Sequence, residues 1–391
     1  MSARVVIVGG GHAGATLAGA LRQKGFAGDV TLLSAEPHHP YHRPPLSKGV
    51  LTGGAEAAER ILLRPPRFYT ENAIDLRTGA VATEIERGSR TLALGSGEAL
   101  AYDHLVLATG TRARIPPIPG IDRDGVLSLR TLADAERIGA RIRPGARLVV
   151  LGAGYIGLEV AAVAGERGVD VTVVERADRP LARVASAIVS EWVRERHAAR
   201  GVRIVLGVTA ERIEGDPSVT EVVLSDGTCI RADTVLVGIG AEPVTELAEA
   251  AHLAVENGIV VDGAFRTTDS SVFAIGDAAS YRCAFTEAPR RLESVQNAQD
   301  QAKVVAAVLA GEAEPYDAVP WFWSDQGPDK LQSAGIADPD DDLEVMGDVG
   351  AGRFTVLHRR DGVIVASESV NDARGHMLSR RWIRDRARTA G

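Results

Sequence analysis

Glycines in two short turns are the residues of this sequence whose spacing most clearly indicates chemistry. Gly9, Gly11 and Gly14 have the spacing GxGxxG, directly after the apolar run Val5 to Val8. In such a turn the first glycine permits a tight bend, the second lets the backbone approach a pyrophosphate, and the third lets helix and strand pack closely. The following helix directs unpaired N–H groups at the phosphates. The pattern predicts a dinucleotide site.

The same pattern returns later in the chain, where an apolar run from Arg147 leads to Gly152, Gly154 and Gly157. A single GxGxxG motif is weak evidence, because glycine-rich turns are common. Two copies, each with a strand before the turn and a helix and a strand after it, predict two dinucleotide sites. The alternative is a pair of buried parallel-sheet units that bind no ligand.

Hydrophobic periodicity predicts the elements that position these turns. The Ala/Leu-rich pattern after Gly14 predicts a helix, and the apolar run Val30 to Leu33 predicts a second strand. Prolines between positions 37 and 45 exclude a regular element, and a helix could begin at Leu46. Asp361-Gly362 predicts a hairpin turn. Further strands are predicted at 102–110, 233–240 and 272–277, and further helices at 132–143, 186–200 and 292–309.

Composition limits the classes of function. The 391 residues suffice for about two or three domains. The net charge of −8 argues against a nucleic-acid partner. The segment 148–165 is almost wholly apolar and nearly long enough to span a membrane, but its turn-spaced glycines and Glu159 favour a buried strand and helix. No secretory signal is recognised before the first apolar run. We therefore expect a cytoplasmic protein with no membrane partner.

The sequence has two cysteines, Cys229 and Cys283, which lie far apart. No CxxC or CxxxxC pair is present, which excludes a redox-active pair of that type and a cysteine-ligated zinc or iron–sulfur site. We expect no metal site, and both cysteines to be small structural residues.

Four separated motifs accompany the second glycine turn, GAGYIGLE at 152–159. They are GGGHAG at 9–14, PPLSK at 44–48, LATG at 107–110 and AIGD at 274–277. With FWSDQ at 322–326, the chain resembles the FAD- and NADH-dependent ferredoxin reductases of oxygenase systems, within the wider glutathione-reductase-like group of flavoproteins. PPLSK and FWSDQ are the most specific motifs. They separate this branch from disulfide reductases, which need the cysteine pair that this sequence lacks.

The resemblance implies an α/β fold with two Rossmann-like dinucleotide-binding domains and a small α+β C-terminal domain. Residues 1–112 and 239–314 would form a discontinuous FAD-binding domain, residues 113–238 the NADH-binding domain, and residues 318–391 the C-terminal domain.

The resemblance also assigns residues to FAD. Glu36 would bind the adenosine ribose, although Ser34 is the position that aligns with Glu175 of the second unit. Asp277 would bind the ribityl chain and also cap the helix after it, since the two roles are compatible; the alternative is that it only caps the helix. Arg130 would contact the diphosphate unless it is an ordinary surface arginine. The other implied contacts are Gly9, Gly11, His12, Ala13 and Gly14 at the pyrophosphate, Arg43 along the adenosine half, the Val81 backbone at the adenine, and the Val295 N–H at the pyrimidine edge of the flavin.

Further motif residues are expected to contact the cofactors, namely Ala108, Thr109, Gly110, Gly240 and Gly276. Lys48, Glu159 and Trp323 are the candidate catalytic residues. A buried unpaired carboxylate is costly, so Glu159 should have a partner. The resemblance implies that this partner is Lys48, which would lie near the isoalloxazine. Trp323 would lie near the flavin ring, although Trp321 and Trp323 could both be core residues of the small domain.

NADH is expected on the second turn, held by Gly152, Gly154, Tyr155, Ile156 and Gly157. Glu175 ends the strand after that turn, where its carboxylate can accept hydrogen bonds from a ribose 2′-OH and would repel a 2′-phosphate. This favours NADH over NADPH, while the neighbouring Arg176 could pair with a phosphate. Hydride transfer needs little acid–base help, so the protein mainly orients the cofactors and excludes water.

The resemblance implies a transient complex with an acidic [2Fe–2S] ferredoxin, formed by a monomer or weak dimer. Such a partner would need a local basic surface. Two candidates are the pair Arg290 and Arg291 and the C-terminal cluster Arg380, Arg381, Arg384, Arg386 and Arg388. A charge run is more often a solvated face.

Other functions remain compatible with the sequence. A rubredoxin reductase or an NADH oxidase would use the same two cofactors, although NADH oxidases usually need an active-site cysteine. A protein similar to apoptosis-inducing factor would use the flavin as a conformational switch for partner binding. We expect the first function, electron delivery from NADH through FAD to a ferredoxin of a monooxygenase or dioxygenase.

Overall fold

The computed structural model describes residues 3–285, 289–312 and 316–386. Its α-helices are α1 (His12–Gln23), α2 (Gly49–Arg60), α3 (Arg67–Glu71), α4 (Leu132–Gly139), α5 (Tyr155–Glu166), α6 (Ala187–Ala199), α7 (Glu246–Ala250), α8 (Val295–Leu309) and α9 (Ala373–Arg384). Two 3₁₀ turns lie at Pro44–Ser47 and Gly276–Ala278.

The strands are short in the first two-thirds of the chain and longer near its end. They are β1 (Arg4–Val8), β2 (Asp29–Ser34), β3 (Ile74–Thr78), β4 (Ala82–Glu86), β5 (Thr91–Leu94), β6 (Ala99–Ala101), β7 (His104–Leu107), β8 (Thr111–Ala113), β9 (Val126–Ser128), β10 (Arg147–Leu151), β11 (Asp170–Glu175), β12 (Arg203–Leu206), β13 (Ala210–Gly215), β14 (Val219–Leu224), β15 (Cys229–Arg231), β16 (Thr234–Val237), β17 (Ala241–Pro243), β18 (Val255–Glu256), β19 (Gly258–Val260), β20 (Val272–Ala274), β21 (Ala279–Ser280), β22 (Trp321–Gln326), β23 (Asp329–Gly335), β24 (Asp342–Asp348), β25 (Arg353–Arg360) and β26 (Val363–Val370).

The chain separates into two compact units. Unit 1 comprises Met1–His42, Ile61–Arg112 and Pro243–Trp321, and unit 2 comprises Arg43–Arg60, Ala113–Glu242 and Phe322–Gly391.

A five-stranded parallel sheet organises unit 1, in the order β20-β7-β1-β2-β3. The central strand β1 has Val5, Val6, Ile7 and Val8 buried, as expected for a parallel strand covered on both faces. Helix α1 follows β1 and packs against α8. Two three-stranded sheets, β4-β5-β6 and β18-β19-β21, complete the unit. The central strand β1 ends at Val8, directly before the first glycine turn.

Unit 2 contains an equivalent parallel sheet, in the order β12-β11-β10-β16-β9. An antiparallel sheet, β13-β14-β15, packs on it, and the shared core includes Val149, Leu151, Val222 and Val235. Here β10 is central and ends at the second glycine turn. The two sheets have the same strand arrangement, so the internal duplication expected from the sequence is present.

The C-terminal part of unit 2 is an antiparallel sheet with one helix. Its strands have the order β22-β23-β26-β25-β24, and α9 packs against β26 and β23. Asp361-Gly362 forms the predicted hairpin turn between β25 and β26. The predicted α/β class, with two dinucleotide-binding folds and a small α+β domain, is confirmed.

Two local predictions were wrong. The helix predicted over 132–143 ends at Gly139, because the amides of Arg141 and Ile142 bond three residues back, to Ile138 and Gly139, rather than four. The prolines around position 44 do not exclude regular structure, because Pro44 and Pro45 begin a 3₁₀ turn, where a missing N–H is tolerated. The following α-helix begins at Gly49 rather than Leu46.

Among the residues that the structure describes, no helix has the length and hydropathy to cross a membrane.

Candidate functional sites

The first glycine turn contains two glycines that the fold requires and one that it does not. Gly9 has φ +122°, and a Cβ there would lie 2.1 Å from the carbonyl oxygen of Ala108. A Cβ on Gly14 would lie 2.0 Å from the Gly9 carbonyl oxygen. A Cβ on Gly11, by contrast, would meet no atom within 4 Å. The open space at Gly11 fits the close approach of a pyrophosphate.

The N-terminus of α1 offers donors to an anion. Gly11 is the N-cap and provides no side-chain hydrogen bond, and the first turn has no acidic residue. His12 and Ala13 are buried in this turn. Nε2 of His12 lies 3.3 Å from Nδ1 of His42, and burial, together with the charge of Arg64, lowers the pKa of His42. The N–H groups at this helix end therefore suit a phosphate.

Glu36 lies beyond β2, where a buried serine occupies the end of the strand. A Cβ on Gly10 would lie 2.6 Å from the Ser34 side chain, so Gly10 packs directly against this serine. The Tyr41 hydroxyl donates to Oε2 of Glu36 at 2.5 Å, a contact that the sequence did not reveal. Val81 is 50% exposed, and its carbonyl accepts a hydrogen bond from the Gly95 amide. Glu36 thus has a fixed position after β2.

The LATG motif lies at the carboxyl end of β7. The Ala108 carbonyl packs on Gly9, and the Thr109 hydroxyl donates to the Val244 carbonyl at 2.7 Å. Gly110 has φ +70°, which favours glycine. This motif closes one side of the first glycine turn.

The AIGD motif contacts the first glycine turn through Gly276. A Cβ on Gly276 would lie 3.0 Å from the Ala13 Cβ. Asp277 lies inside the 3₁₀ turn and does not cap an α-helix, because α8 begins much later, at Val295, with Ser294 as its N-cap. The helix-capping alternative for Asp277 was therefore wrong.

A buried polar network that the sequence did not reveal holds these segments. Oε1 of Gln301 accepts the Gly276 amide hydrogen at 2.6 Å, and Nε2 of Gln301 donates to Asn297 Oδ1. The Tyr281 hydroxyl donates to the same oxygen at 2.8 Å, and burial raises the pKa of Tyr281, which keeps the hydroxyl protonated. Asn297 and Gln301 thus fix Gly276 relative to the start of α8.

Arg291 does not present a free cation on the surface. Its side chain is 8% exposed, it forms an ion pair with Glu293, and it donates to the Asp277 carbonyl at 3.1 Å. The expectation that Arg291 contributes to a docking surface was wrong, because its guanidinium supports the AIGD motif. Arg290 is exposed.

The second glycine turn has the geometry of the first. Gly152 has φ +98°, and a Cβ there would lie 2.6 Å from the Gly238 carbonyl oxygen. A Cβ on Gly157 would lie 2.6 Å from the Gly152 carbonyl oxygen, whereas one on Gly154 would meet only the Gly238 oxygen at 3.9 Å. Gly154 is the N-cap of α5 and provides no side-chain bond. This turn also fits a pyrophosphate.

Residues around the second turn leave surface for a ligand. Ile156 in the first turn of α5 is 48% exposed. Gly240, with φ +116°, accepts the Arg114 amide hydrogen at 2.9 Å. Tyr155 stacks on Phe322 with ring centroids 4.8 Å apart, and burial raises its pKa.

Glu175 ends β11 and binds the glycine turn directly. Its Oε2 accepts the Ala153 amide hydrogen at 2.7 Å, and its Oε1 accepts the Ala177 amide hydrogen at 2.8 Å. The Ala153 carbonyl accepts the Leu181 amide hydrogen at 3.0 Å. Each carboxylate oxygen keeps a lone pair for a ribose hydroxyl. Arg176 is exposed.

Lys48 and Glu159 lie together, as expected. Nζ of Lys48 is 2.9 Å from Oε2 of Glu159, which is 5% exposed. The hydroxyls of Ser47 and Ser324 also donate to this carboxylate, and the sequence did not predict either contact. Trp323 precedes Ser324 on β22 and is half-buried, with its ring 6.5 Å from that of Phe322.

Arg43 and Arg130 also lie close together. Nη1 of Arg43 donates to the Arg130 carbonyl at 2.6 Å, and the Arg130 amide donates to Asp134. Asp134 forms a capping box with Thr131 at the start of α4. The backbone of Arg130 is thus part of a defined helix cap.

The C-terminal basic cluster lies on and after α9. Arg381 and Arg384 are exposed and approach Asp385 at 3.5 and 3.1 Å. Arg386 is exposed, and Arg388 lies outside the described residues.

Comparison with known proteins identifies two family matches. Residues 3–302 match the pyridine nucleotide-disulphide oxidoreductase family, and residues 321–390 match the reductase C-terminal family. Rhodocoxin reductase of Rhodococcus erythropolis is 43% identical over 96% of this chain and 88% of its own length.

Solved structures show the same relationship. The ferredoxin reductase for the CYP199A2 system of Rhodopseudomonas palustris has a TM-score of 0.94 and 43% identity, covering 97% of this chain and 94% of its own. Putidaredoxin reductase, solved as a covalent complex with putidaredoxin, has a TM-score of 0.95 and 39% identity, covering 99% and 94%.

The glycine turns of both units fit the FAD and NAD(P)H on which this family depends. The chain belongs to the pyridine nucleotide-disulphide oxidoreductase family, in its branch of FAD-dependent ferredoxin reductases.

Proposed function

We propose that this chain takes a hydride from NADH onto FAD and delivers electrons to a [2Fe–2S] ferredoxin that serves a monooxygenase or dioxygenase. The observation that supports this most is the pair of equivalent glycine turns, in which Gly11 and Gly154 face open space at helix N-termini without side-chain caps. When bound, FAD accepts two electrons as a hydride and can release them singly. The protein contributes binding, orientation and charge.

In unit 1, we assign the first turn and its neighbours to FAD. The N–H groups at the start of α1 would hold the pyrophosphate, and Glu36, held by Tyr41, would accept hydrogen bonds from the adenosine ribose. The full set of proposed contacts in this unit is Gly9, Gly11, His12, Ala13, Gly14, Glu36, Val81, Ala108, Thr109, Gly110, Gly276, Asp277 and Val295.

In unit 2, we assign the second turn to NADH. The N–H groups at the start of α5 would hold its pyrophosphate. Unit 2 also carries proposed contacts with FAD, namely Arg43, Lys48, Arg130 and Trp323, and its other proposed cofactor contacts are Gly152, Gly154, Tyr155, Ile156, Gly157, Glu159, Glu175 and Gly240. Among them, Lys48, Glu159 and Trp323 are the residues that we expect to affect the reaction itself.

Glu175 supports NADH rather than NADPH. Its two backbone hydrogen bonds fix a carboxylate at the end of β11, where the family fold places the adenosine ribose. A 2′-phosphate there would be repelled by the carboxylate of Glu175, which has the same sign of charge. A 2′-hydroxyl would find an acceptor.

We propose an acidic partner because the exposed arginines of α9 form a local positive surface, although the net charge of the chain is −8. Arg381 and Arg384 supply local positive charge, and attraction of this kind raises association rates in a salt-dependent manner. We further propose a transient complex and a monomer or weak dimer. Cys229 and Cys283 form no disulfide, which favours the cytoplasm, where thiols stay reduced.

Anaerobic rapid mixing tests the proposal. The purified protein should be yellow, should lose that colour faster with NADH than with NADPH, and should then reduce an added [2Fe–2S] ferredoxin. Transfer to rubredoxin but not to any [2Fe–2S] ferredoxin would instead favour the rubredoxin reductase alternative. Rapid loss of colour with no transfer to either protein would contradict both.

A further inference from the structure

The carboxylate of Glu159 receives four hydrogen-bond donors. Oε2 accepts from the Ser47 hydroxyl and from the Lys48 ammonium, which is 2.9 Å away. Oε1 accepts from the Ser324 hydroxyl at 2.5 Å and from the Asp325 amide at 3.3 Å. Each oxygen therefore has two donors, which nearly uses the acceptor capacity of an ionised carboxylate.

The donors come from segments that are distant in sequence. Ser47 ends the 3₁₀ turn before α2 and is 112 residues from Glu159, while Ser324 on β22 is 165 residues away. Ser47 is 4% exposed and Ser324 is fully buried. A buried carboxylate with this many donors is held in one position, because the loss of any donor would leave an acceptor oxygen unsatisfied in a dry site.

The network continues from Ser324 along β22. Nε2 of Gln326 donates to the Ser324 hydroxyl oxygen at 2.8 Å and to the Tyr155 carbonyl at 3.3 Å. The Ser324 hydroxyl is therefore oriented toward Glu159 by a neighbouring donor. Trp323 lies between Ser324 and Phe322, so the same hydrogen bonds fix the strand that carries Trp323.

We propose that Ser47 and Ser324 are positioning residues for hydride transfer. They hold the Glu159 carboxylate, and through it the Lys48 ammonium and the Trp323 strand, in one arrangement. This inference rests on the proposed function, since Lys48, Glu159 and Trp323 act there on bound cofactors. Neither serine is required to touch substrate or flavin.

The test uses Ser47→Ala and Ser324→Ala in the flavin-loaded full chain. Rapid mixing with NADH should show a hydride-transfer rate lowered roughly tenfold, the effect of a small misplacement of a reacting geometry. The KM for NADH should change much less, because its ADP half binds at the second glycine turn. Flavin content should stay at the wild-type level.

A second measurement does not depend on activity. Ser324→Ala should lower the urea midpoint of unfolding in the wild-type background, and lower it much less in a Glu159→Gln background, because the two groups interact directly. Additive midpoint shifts would show that the hydroxyl does not act through Glu159 and would overturn the inference.

Two further variants separate positioning from packing. Ser324→Cys keeps a heavy atom at the position of the hydroxyl oxygen but supplies only a weak donor, so its hydride-transfer rate should lie near that of Ser324→Ala. Ser379→Ala removes another fully buried hydroxyl of unit 2, one that binds Ser367 and the α9 backbone, and should leave the rate unchanged.

The outcomes distinguish this inference from the proposed function. If Ser324→Cys matches the wild type while Ser324→Ala is slow, packing is responsible and the inference fails. If both alanine variants transfer hydride at the wild-type rate, the inference also fails, while the proposed function stands. A wild-type chain that binds no flavin would overturn the proposed function itself.

Discussion

The ammonium of Lys48 lies 2.9 Å from the carboxylate of Glu159, a residue of the largely apolar helix α5. The Glu159 side chain is 6% exposed and that of Lys48 is 22% exposed. The pair therefore supplies a charge and its counter-charge in a largely dry place. Removing one partner leaves the other without compensation, which is the costly event for a buried ion pair.

Lys48→Met should therefore destabilise the protein. We expect the free energy of unfolding to fall by about 3 kcal/mol in guanidinium titrations, because the buried Glu159 carboxylate would lose its counter-charge. Lys303→Met is the matched control, since Lys303 pairs with Asp300 on the surface of α8 with its side chain 63% exposed. That control should change stability by less than about 1 kcal/mol. Equal effects of the two substitutions would show that the buried ion pair contributes no more to the free energy of unfolding than the surface pair does.

Glu175→Gln should relax the choice between NADH and NADPH. The amide keeps an acceptor for Ala153 but loses the negative charge, so kcat/KM for NADPH relative to NADH should rise about tenfold. Steady-state kinetics with both nucleotides measure this ratio. Glu166→Gln, at the far end of α5, removes an equal charge and should leave the ratio unchanged. An unchanged ratio in Glu175→Gln would remove the argument for NADH.

His197 should make stability depend on pH. Burial lowers the pKa of His197 to about 4, from 6.5, and its Nε2 donates to Oε1 of Gln326 at 3.1 Å. Above pH 6.5 the histidine is neutral in both states. As pH falls toward 4, the unfolded chain binds a proton that the folded chain does not, which lowers the free energy of unfolding by roughly 3 kcal/mol.

Denaturation at several pH values checks this expectation. His197→Gln should flatten the decline between pH 6.5 and 4, whereas His252→Asn, at an exposed position, should keep it. A decline of the same size in His197→Gln and the wild type would show that other groups cause the acid sensitivity.

Many residues of the candidate sites could be predicted from the sequence because the patterns that identify them are local. Glycine spacing after an apolar run marked both turns, and Glu159 was conspicuous as a carboxylate inside an apolar helix. The aligned acid of the first unit was harder to assign, because Ser34 occupies its position. The structure gives the reason, since Gly10 packs against the Ser34 side chain.

Contacts between distant segments had no such signal. Ser47, Ser324, Asn297 and Gln301 are ordinary polar residues in sequence, and only the fold brings them to Glu159 or to Gly276. Arg291 was misjudged for a related reason. A pair of arginines suggests a basic surface, but burial of one side chain against a backbone carbonyl depends on tertiary packing.

If each glycine turn holds its own dinucleotide, alanine at Gly11 and at Gly154 should affect the two cofactors separately. Gly11 and Gly154 both have φ near −80° with extended ψ, which alanine adopts without strain, and both have room for a Cβ. Gly11→Ala and Gly154→Ala should therefore fold, unlike Gly9→Ala, whose Cβ would meet the Ala108 carbonyl.

The decisive measurement is the dissociation constant of FAD in these two variants. Gly11→Ala should weaken FAD binding tenfold or more, about 1.4 kcal/mol, and Gly154→Ala should leave it unchanged while raising the KM for NADH. Wild-type affinity for FAD in Gly11→Ala, or equal losses of FAD in both variants, would contradict the account.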